Sequence, residues 1–536
     1  MNTAKQAIED GNTFLGIEFG STRIKAILID ANGNTLAQGS HEWENRLENH
    51  MWTYSQEDIE NGLQCCYRNL CDQVQTQYQL PITQVRGLGI SAMMHGYLAF
   101  DKNGQLLVPF RTWRNTNTGE AADQLTDAFS FQIPQRWSIA HLYQAILNQE
   151  DHVKDITYIT TLAGFVHWKL TGRKVLGMGD AAGMFPIDSH TKQYHTGMMD
   201  TFQSMIASYR YPWRIEQILP EVLSAGVCAG SLTEAGARFL DPSGTLQAGC
   251  PLCPPEGDAG TGMVATNSVA AGTGNVSAGT SIFSMVVMDH YLQSVHKEID
   301  LVTTPDGLPV AMVHCNNCTS DLNAWIHLFR EFADLAGISI DNNTLYTMLF
   351  QHSMTGNEDC GGLLSYNFYS GEPVVNMEQG CPLFLHPADS KLTLANFMRT
   401  NIYSAFASLK IGMDILLKDE GISLKKITGH GGLFKTPVVG QKFLASALDT
   451  PVSVMSNAGE GGAWGMAVLA AYMDYIQQDK SQASSLSDYL EQHIFKDAEI
   501  TTIKPNDNDC AGFDTFIEAY KKGLVVEAAA VNALNQ

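Results

Sequence analysis

Residues 16–30 read GIEFGSTRIKAILID, two apolar stretches separated by a Gly-Ser-Thr turn. The mostly apolar run 14–17 before the turn is typical of a buried strand. After the turn, Ile24, Ala26 and Leu28 alternate with the residues between them, which predicts a second strand. A Gly-hydroxyl turn of this kind often holds phosphate, yet no helix pattern follows it, unlike in a P-loop or a dinucleotide-binding fold. The stretch therefore predicts a hairpin with a candidate phosphate site at its turn.

Two further segments extend this pattern. ANGN at 31–34 is a turn signal and TLAQGS at 35–40 a third strand, so the chain is expected to open with an antiparallel meander. A second hairpin is predicted in YLAFDKNGQLLVPF, residues 97–110. Far downstream, GNVSAGTSIFSMVVM at 274–288 repeats the strand–turn–strand pattern. The repetition predicts two similar halves, each offering one hairpin to a shared cleft.

Helical patterns lie between and after the two turns. AGFVHWKLTGR predicts a helix ended by Gly172, and Phe406, Leu409 and Met413 mark the apolar face of another that stops near Gly421. KKITGHGGLF at 425–434 predicts a strand and a Gly-rich turn. NAGEGGAWGMAVLAAYM, from 457, predicts a helix that packs closely through Gly and Ala, and the end of the chain predicts another.

Composition narrows the classes of protein. The chain has 536 residues, 44% of them hydrophobic, which suits a globular protein of two or three domains. Its net charge of −23 disfavours nucleic acid and anionic membrane as partners. No apolar run is long enough to span a bilayer, and the first 13 residues are polar and of both charge signs, unlike a signal peptide. We expect a cytoplasmic protein.

The 11 cysteines are an odd number spread along a large chain, which suits a reducing compartment. Cys250 and Cys253 form one CxxC pair, and Cys315 and Cys318 form another. A zinc site would need the two pairs closer together in the sequence, so buried free thiols are the expectation.

Six segments follow one another along the chain: GIEFGSTRIKAILID, SAMMHGYLAFD, PPEGDAGTGMVA, VSAGTSIF, ITGHGGLFKTPVVGQKFLASAL and AGEGGAWGMAVLAAY. They occur in the order found in the FGGY carbohydrate kinases, which the chain resembles from about 14 to 472. The resemblance implies an α/β, actin-like (ribonuclease-H-like) ATPase fold with two similar domains around a central cleft. It also implies that residues 1–268 bind sugar and carry the first phosphate hairpin, while 269–536 carry the second hairpin and bind adenosine.

The resemblance implies ATP and Mg²⁺ as cofactors. The residues carried over for ATP binding lie in Gly-rich turns or beside them: Gly20, Ser21, Thr22, Arg23, Gly279, Thr280, Ser281, Gly431, Gly432, Lys435 and Gly461. Backbone N–H groups in a tight hairpin can form an anion site without a helix, and the hydroxyls add donors.

The resemblance also assigns the chemistry. Asp258, in the Gly-Asp motif before the second hairpin, is implied to be the general base, because a sugar hydroxyl needs a proton acceptor within hydrogen-bond reach. Glu18 stands where most members of the family carry aspartate and, with Asp258, is implied to assist the metal. The longer side chain of glutamate leaves the geometry of metal binding open.

Two motifs imply the sugar site. Met94 and His95 match the Met-His-Gly motif of the sugar wall, and Trp113, Arg114 and Asn115 resemble the Trp-Lys-Asp arrangement of bacterial ribulokinases. An aromatic face suits the apolar side of a sugar, and an amide can bind its hydroxyls. We therefore expect a kinase that converts L-ribulose to L-ribulose 5-phosphate, with D-xylulose as the alternative; glycerol, L-fuculose and rhamnulose stay open.

Parts of the sequence also suit other classes of protein. A non-catalytic sugar or nucleotide sensor, or an actin-like assembly protein, could keep the cleft and both hairpins, although an assembly protein has no need for Asp258 or the Met-His-Gly motif. GTGNVSAG only partly imitates the GxGxxG of a NAD-dependent dehydrogenase, and a strand follows it. No GxxxxGK[ST] motif of a Walker-type kinase occurs. The expected partners are a sugar and ATP, and a homodimer is compatible with the sequence.

Overall fold

The computed structural model describes residues 2–455, 461–478 and 484–534. Contacts between Cα atoms group the chain into two units. The first consists of Met1–Ala270, Asp300–Val310 and Glu460–Asp497, and the second of Ala271–Ile299, Ala311–Gly459 and Ala498–Gln536. The first unit therefore includes a late segment of the chain, 460–497. The division of function at 268/269 stays a prediction.

The strands in chain order are β1 Phe14–Phe19, β2 Arg23–Ile29, β3 Thr35–Glu42, β4 Arg46–Glu48, β5 Met51–Thr53, β6 Gly87–Ala92, β7 Leu98–Phe100, β8 Tyr158–Thr160, β9 Val175–Gly177, β10 Ile187–Asp188, β11 Gln193–Tyr194, β12 Glu221–Leu223, β13 Glu256–Gly257, β14 Thr273–Ala278, β15 Ile282–Val287, β16 Ile299–Thr303, β17 Pro309–Cys315, β18 Leu364–Tyr366, β19 Leu383–Leu385, β20 Lys426–Gly431, β21 Val452–Met455 and β22 Ile500–Ile503.

The helices are α1 Asn2–Glu9, α2 Gln56–Tyr78, α3 Gly119–Phe129, α4 Ser138–Leu147, α5 Leu162–Thr171, α6 Met178–Ala182, α7 Thr196–Met205, α8 Ile215–Ile218, α9 Glu234–Leu240, α10 Asp258–Ala265, α11 Ser320–Leu335, α12 Asn342–Ser353, α13 Leu394–Asp414, α14 Val439–Leu448, α15 Gly461–Gln478, α16 Leu486–Tyr489 and α17 Asp507–Leu534.

The first unit contains a five-stranded sheet in the order β13-β6-β1-β2-β3. Strands β1, β2 and β3 form the predicted antiparallel meander, which continues on its other side through the parallel strands β6 and β13. The hairpin predicted at 97–110 is only partly present. Strand β7 pairs with the distant β8, and the local turn keeps single bridges such as that between Phe100 and Leu106. A strand formed far along the chain thus competes with the local partner.

The second unit repeats this topology. Its sheet carries β17, β15, β14, β20, β21 and β22 in that spatial order. Strand β14 is antiparallel to β15 and parallel to β20, just as β1 is antiparallel to β2 and parallel to β6. The two Gly-hydroxyl turns occupy equivalent positions, between the first two strands of each sheet. The prediction of an α/β fold with two similar domains is confirmed.

Helices lie directly on the first sheet because glycines let them approach. A Cβ added to Gly16 in β1 would lie 2.0 Å from the carbonyl oxygen of Ala463 in α15, and one added to Gly39 in β3 would lie 2.3 Å from that of Cys66 in α2. Both are shorter than any van der Waals contact, so a larger residue at either position would push helix and strand apart. This close approach brings the start of α15 to the end of β1, where Glu18 lies.

Several predicted helices are confirmed. Helix α5 ends at Gly172, whose φ of +76° closes the last turn in the left-handed conformation. The helix predicted around Phe406 is α13, which continues through a π-helical turn, Ile415–Asp419, to Gly421. The helix predicted from 457 begins at Gly461 within the described residues, and positions 456–460 lie outside them. Among the described helices, none combines the length and the apolar character needed to cross a bilayer.

Candidate active site

The turn between β1 and β2 is held from behind by aromatic side chains. The indole N–H of Trp43 donates to the carbonyl of Gly20 over 2.7 Å, and its backbone N–H donates to that of Thr22 over 3.2 Å. The hydroxyl of Tyr54 donates to the carbonyl of Ser21 over 2.5 Å, and the two aromatic rings stack with centroids 4.0 Å apart. In the described part of the chain, the N–H groups of Ser21 and Thr22 donate to no protein atom. The turn can therefore offer these two N–H groups to an anion.

The turn between β14 and β15 is built on the same principle. The N–H of Cys318 donates to the carbonyl of Thr280 over 2.9 Å. The N–H and hydroxyl of Thr319 both donate to the carbonyl of Gly279, over 3.2 and 2.8 Å. The N–H groups of Thr280 and Ser281 have no acceptor among the residues that the structure covers. Each unit thus contains one hairpin with its carbonyls occupied and two N–H groups available.

The predicted adenosine motif adjoins the second hairpin. Parallel pairing of β14 with β20 sets Gly431 opposite Ala278, the residue just before the turn. Gly431 has a φ of +99°, and a Cβ there would lie 2.3 Å from the carbonyl oxygen of Ala278. Glycine is therefore required at this position by both conformation and space. Gly432 and Lys435 follow it on the exposed surface of the same unit.

Asp258 is the first residue of α10 in the first unit. Its Oδ1 accepts a hydrogen bond from the backbone N–H of Met94 over 3.2 Å, although the two residues are 164 positions apart in sequence. More than a third of its surface is accessible to solvent, so a substrate can reach the carboxylate. The pKa of Asp258 is nevertheless raised to about 6, because the surrounding protein atoms displace part of its hydration. The predicted general base therefore adjoins the predicted sugar motif.

Glu18, at the end of β1, lies at the start of α15. A Cβ on Gly462 would lie 2.1 Å from Glu18 Oε1, so the glycine makes room for the carboxylate. The backbone N–H of Ala463 hydrogen-bonds the same carboxylate. Burial, and then the negative charge of Asp258, raise the pKa of Glu18 to about 7. A carboxylate whose pKa is raised by the charge of a second carboxylate lies in a site that a cation would stabilise.

The residues fit Mg²⁺ on chemical grounds. Mg²⁺ is usually held by one or two carboxylates, with water and substrate phosphate as the other ligands, and Glu18 and Asp258 supply two carboxylates in one electrostatic site. No group of three or more His, Cys, Asp or Glu side chains suited to a metal occurs among the described residues. Cys250, Cys253, Cys315 and Cys318 are buried free thiols.

His95 is buried beside Asp258's partner Met94. Its Nδ1 lies 3.1 Å from the carbonyl of Gly183, and its ring stacks on Trp137 at 6.2 Å. Burial, and then the charge of Arg136, lower the pKa of His95 to about 3, so the ring is neutral near pH 7. Because a carbonyl only accepts, Nδ1 carries the proton in this assignment and Nε2 is an acceptor. The ring can therefore accept a hydrogen bond from a sugar hydroxyl.

The predicted Trp-Arg-Asn motif divides into different roles. Trp113 is 37% exposed, so its ring can contact a ligand. Arg114 lies over the ring of Trp52, 3.8 Å from its centroid. Asn115 is buried; its Nδ2 donates to the carbonyls of Trp52 and Thr112 over 2.8 and 3.0 Å, and its Oδ1 accepts the N–H of Trp52 over 2.8 Å. The amide of Asn115 thus holds the backbone together and has one lone pair left for a sugar.

Two predicted ATP residues have other neighbours in the first unit. Arg23 pairs with Glu42 on the adjacent strand over 2.8 Å, and both side chains are exposed. A cation neutralised in this way attracts phosphate less than a free one. Gly461 begins α15, and this helix packs in the first unit against β1. The predicted contacts of Arg23 and Gly461 with ATP stay predictions.

Two buried acids near Asp258 were missed by the sequence analysis. Asp180 accepts the hydroxyl of Thr161 over 2.6 Å, and Glu256 accepts the N–H of Asp180 over 3.1 Å. Burial raises the pKa of Asp180 to about 7 and that of Glu256 to about 8. Gly177 and Gly179 leave the space that Glu256 fills, since a Cβ on either would lie within 2.5 Å of its carboxylate. Spaced glycines near an acidic residue are too common a pattern to have identified the pair.

Comparison with known proteins agrees with this arrangement. The N-terminal domain model of the FGGY family of carbohydrate kinases matches residues 13–250, and the C-terminal domain model matches residues 274–473. The xylulose kinase of Haemophilus influenzae is 22% identical over 485 residues, which cover 86% of this chain and 90% of that protein.

Solved structures share the fold at low identity. The xylulose kinase from Lactobacillus acidophilus superposes with a TM-score of 0.76 at 14% identity, covering 97% of this chain and 99% of that one. The gluconate kinase from the same organism gives a TM-score of 0.74 at 16% identity, with 97% and 98% covered. Together the two domain matches span most of the chain, which belongs to the FGGY family and is a carbohydrate kinase with the actin-like fold.

Proposed function

We propose that this carbohydrate kinase transfers the terminal phosphoryl group of ATP to the terminal hydroxyl of a ketopentose, with Asp258 as the general base. The observation that carries the proposal is the hydrogen bond from the N–H of Met94 to Asp258. It fixes an accessible carboxylate beside His95, the residue whose neutral ring can accept a hydroxyl. The proposed base and the proposed sugar contact are thus neighbours within the first unit.

The reaction follows from these groups. Asp258 accepts the proton of the sugar hydroxyl while the hydroxyl oxygen of the sugar bonds to the γ-phosphorus of ATP. The bond from this phosphorus to the bridging oxygen of ADP breaks, and ADP leaves with the electron pair. A base with a pKa near 6 is mostly ionised at pH 7 and still accepts a proton readily.

Each hairpin is the phosphate-binding element that we propose for its own unit. The free N–H groups of Ser21, Thr22, Thr280 and Ser281 are the donors we assign to the phosphate oxygens of ATP. Bound Mg²⁺ would neutralise phosphate charge, and Glu18 and Asp258 are the residues that would hold it. The hairpins need little reorganisation, because their carbonyls are already hydrogen-bonded on the opposite side.

D-xylulose is the first candidate substrate and L-ribulose the second, which reverses the order in the sequence analysis. The preference for L-ribulose rested on the Trp113-Arg114-Asn115 motif and on a general likeness to ribulokinases. In the folded chain, Arg114 stacks on Trp52 and the amide of Asn115 binds backbone, so neither residue argues strongly for a particular sugar. The Haemophilus influenzae relative, named a xylulose kinase, supports D-xylulose. A solved gluconate kinase has the same fold, so the fold alone does not determine which sugar is bound.

The test is a coupled assay of ADP release with D-xylulose, L-ribulose, ketohexoses, gluconate and glycerol. Asp258→Asn should remove the sugar-dependent signal. Asp127→Asn, the same chemical change at an exposed position of α3, is the matched control and should keep it. Failure of every sugar to raise ADP release above the rate in water would refute the proposal, whereas turnover of L-ribulose alone would refute only the order of substrates. A homodimer and a cytoplasmic location also stay predictions.

A further inference from the structure

A buried carboxylate lies behind the second phosphate hairpin. Glu372 is fully buried and follows a loop after β18. Its Oε1 accepts the N–H of Asn316 over 3.3 Å, and its Oε2 accepts both the N–H and the Nδ2 of Asn317 over 3.2 Å. In the part of the chain that the structure describes, no Lys or Arg pairs with it. The carboxylate is satisfied by N–H donors alone.

Asn317 binds the loop of Glu372 in return. Its Oδ1 accepts the N–H groups of Tyr369 and Ser370 over 2.9 and 3.1 Å, and its Nδ2 also donates to the carbonyl of Ser370 over 3.2 Å. Two loops that are distant in sequence are therefore joined by a closed network of hydrogen bonds. Such a network is rigid when every member is satisfied.

The same loop bonds to the hairpin at its other end. Cys318 and Thr319, the next two residues after Asn317, make the hydrogen bonds to the carbonyls of Thr280 and Gly279 described above. These bonds turn the hairpin carbonyls away from the side on which its N–H groups are free. A continuous set of contacts thus runs from Glu372 through Asn317 to Thr319 and the hairpin, entirely within the second unit.

Only a carboxylate fits the Glu372 position well. It receives three N–H groups and needs no donor of its own, whereas a glutamine would direct its amide N–H against one of them. Burial raises the pKa of Glu372 to about 7, which the N–H donors oppose.

We propose that Glu372, acting through Asn317 and Thr319, is a positioning residue that holds the Gly279–Ser281 hairpin in the conformation that receives nucleotide phosphate. The inference rests on the proposed role of this hairpin in ATP binding. It is not a catalytic role, since Glu372 is buried behind the loop and touches no reacting atom.

The test compares nucleotide binding with sugar binding in the full chain. Glu372→Gln should weaken ADP binding, measured by calorimetry without sugar, by about tenfold, and should raise the KM for ATP by a similar factor. The KM for sugar should stay within twofold, because Met94 and His95 lie in the other unit. Glu378→Gln, the same change at an exposed site nearby, is the matched control and should bind ADP like the wild type.

A second pair of variants covers the case in which Glu372→Gln does not fold. Thr319→Val removes the hydroxyl that donates to Gly279 while keeping the shape, and should weaken ADP binding about fivefold. Thr319→Ser should restore it. Wild-type affinity for ADP in folded Glu372→Gln, or in Thr319→Val, would overturn the inference. If the wild-type chain binds ADP but phosphorylates no sugar, the proposed function fails, and the ratio of the variant's ADP affinity to that of the wild type still decides this inference. If the wild-type chain binds no ADP, the proposed function and this inference both fail.

Discussion

Replacing Gly462 by alanine tests whether the position of Glu18 matters for catalysis. The new Cβ would lie 2.1 Å from Glu18 Oε1 and 2.7 Å from Thr261 Oγ1. Non-bonded atoms settle at about 3.5 Å, so the carboxylate must move by more than about 1 Å. Both atoms end rotatable side chains, so they can move while helix α15 stays in place. The substitution therefore displaces a functional group without requiring a change of backbone.

The expected effect is large on activity and small on stability. A displacement of about 1 Å in an active site can cost roughly 10²-fold in rate, so we expect kcat/KM to fall between about 10- and 100-fold. Alanine favours a helix over glycine by about 1 kcal/mol, which offsets the cost of moving two side chains. The midpoint of thermal unfolding should therefore change little. The Mg²⁺ concentration for half-maximal rate should rise, because Glu18 is displaced from Asp258.

The assay is ADP release with the best sugar over a titration of Mg²⁺. The matched control is Gly262→Ala on α10, where an added Cβ meets no heavy atom within 4 Å. This control should keep wild-type kinetics. If folded Gly462→Ala matches Gly262→Ala within twofold in kcat/KM and in Mg²⁺ dependence, Glu18 does not act where the structure has it, and the metal-site argument fails.

Three further predictions follow from the same geometry. Asp258→Asn should lower kcat by about 10³-fold with an unchanged unfolding midpoint, since general-base catalysis contributes about 10² to 10⁴; a loss under tenfold would contradict the role of base. Partial desolvation raises the pKa of Asp258 to about 6, so wild-type kcat/KM should fall about tenfold per pH unit below that value as the base is protonated; a flat profile from pH 5 to 7 would contradict it. Gly465→Ala sets a Cβ 2.1 Å from the backbone oxygen of Thr261, so urea unfolding should show a loss of about 1–3 kcal/mol, unlike Gly462→Ala.

Local sequence patterns were sufficient to predict many of the strands and helices and to recognise the family. Period-two alternation and a Gly-hydroxyl turn predicted the meander and both hairpins, because these features depend on neighbours in sequence. The hairpin predicted at 97–110 is only partly formed, because β7 pairs mainly with β8. Pairing with a strand so far along the chain has no signal in the local sequence. Asn115 was assigned to the sugar from its motif alone, whereas its amide is largely used by the backbone of Trp52.

The sequence by itself determined the class of this protein: strands and turns depend on residue type and short spacing, and the six ordered motifs resemble those of a family of carbohydrate kinases. Only the tertiary structure decided which groups meet. The bond from Met94 to Asp258 spans 164 positions, and the contact of α15 with Glu18 joins opposite ends of the first unit's chain. The pKa values of Asp258 and Glu372 likewise depend on how many protein atoms displace water around each carboxyl group. That number is set only when the chain has folded.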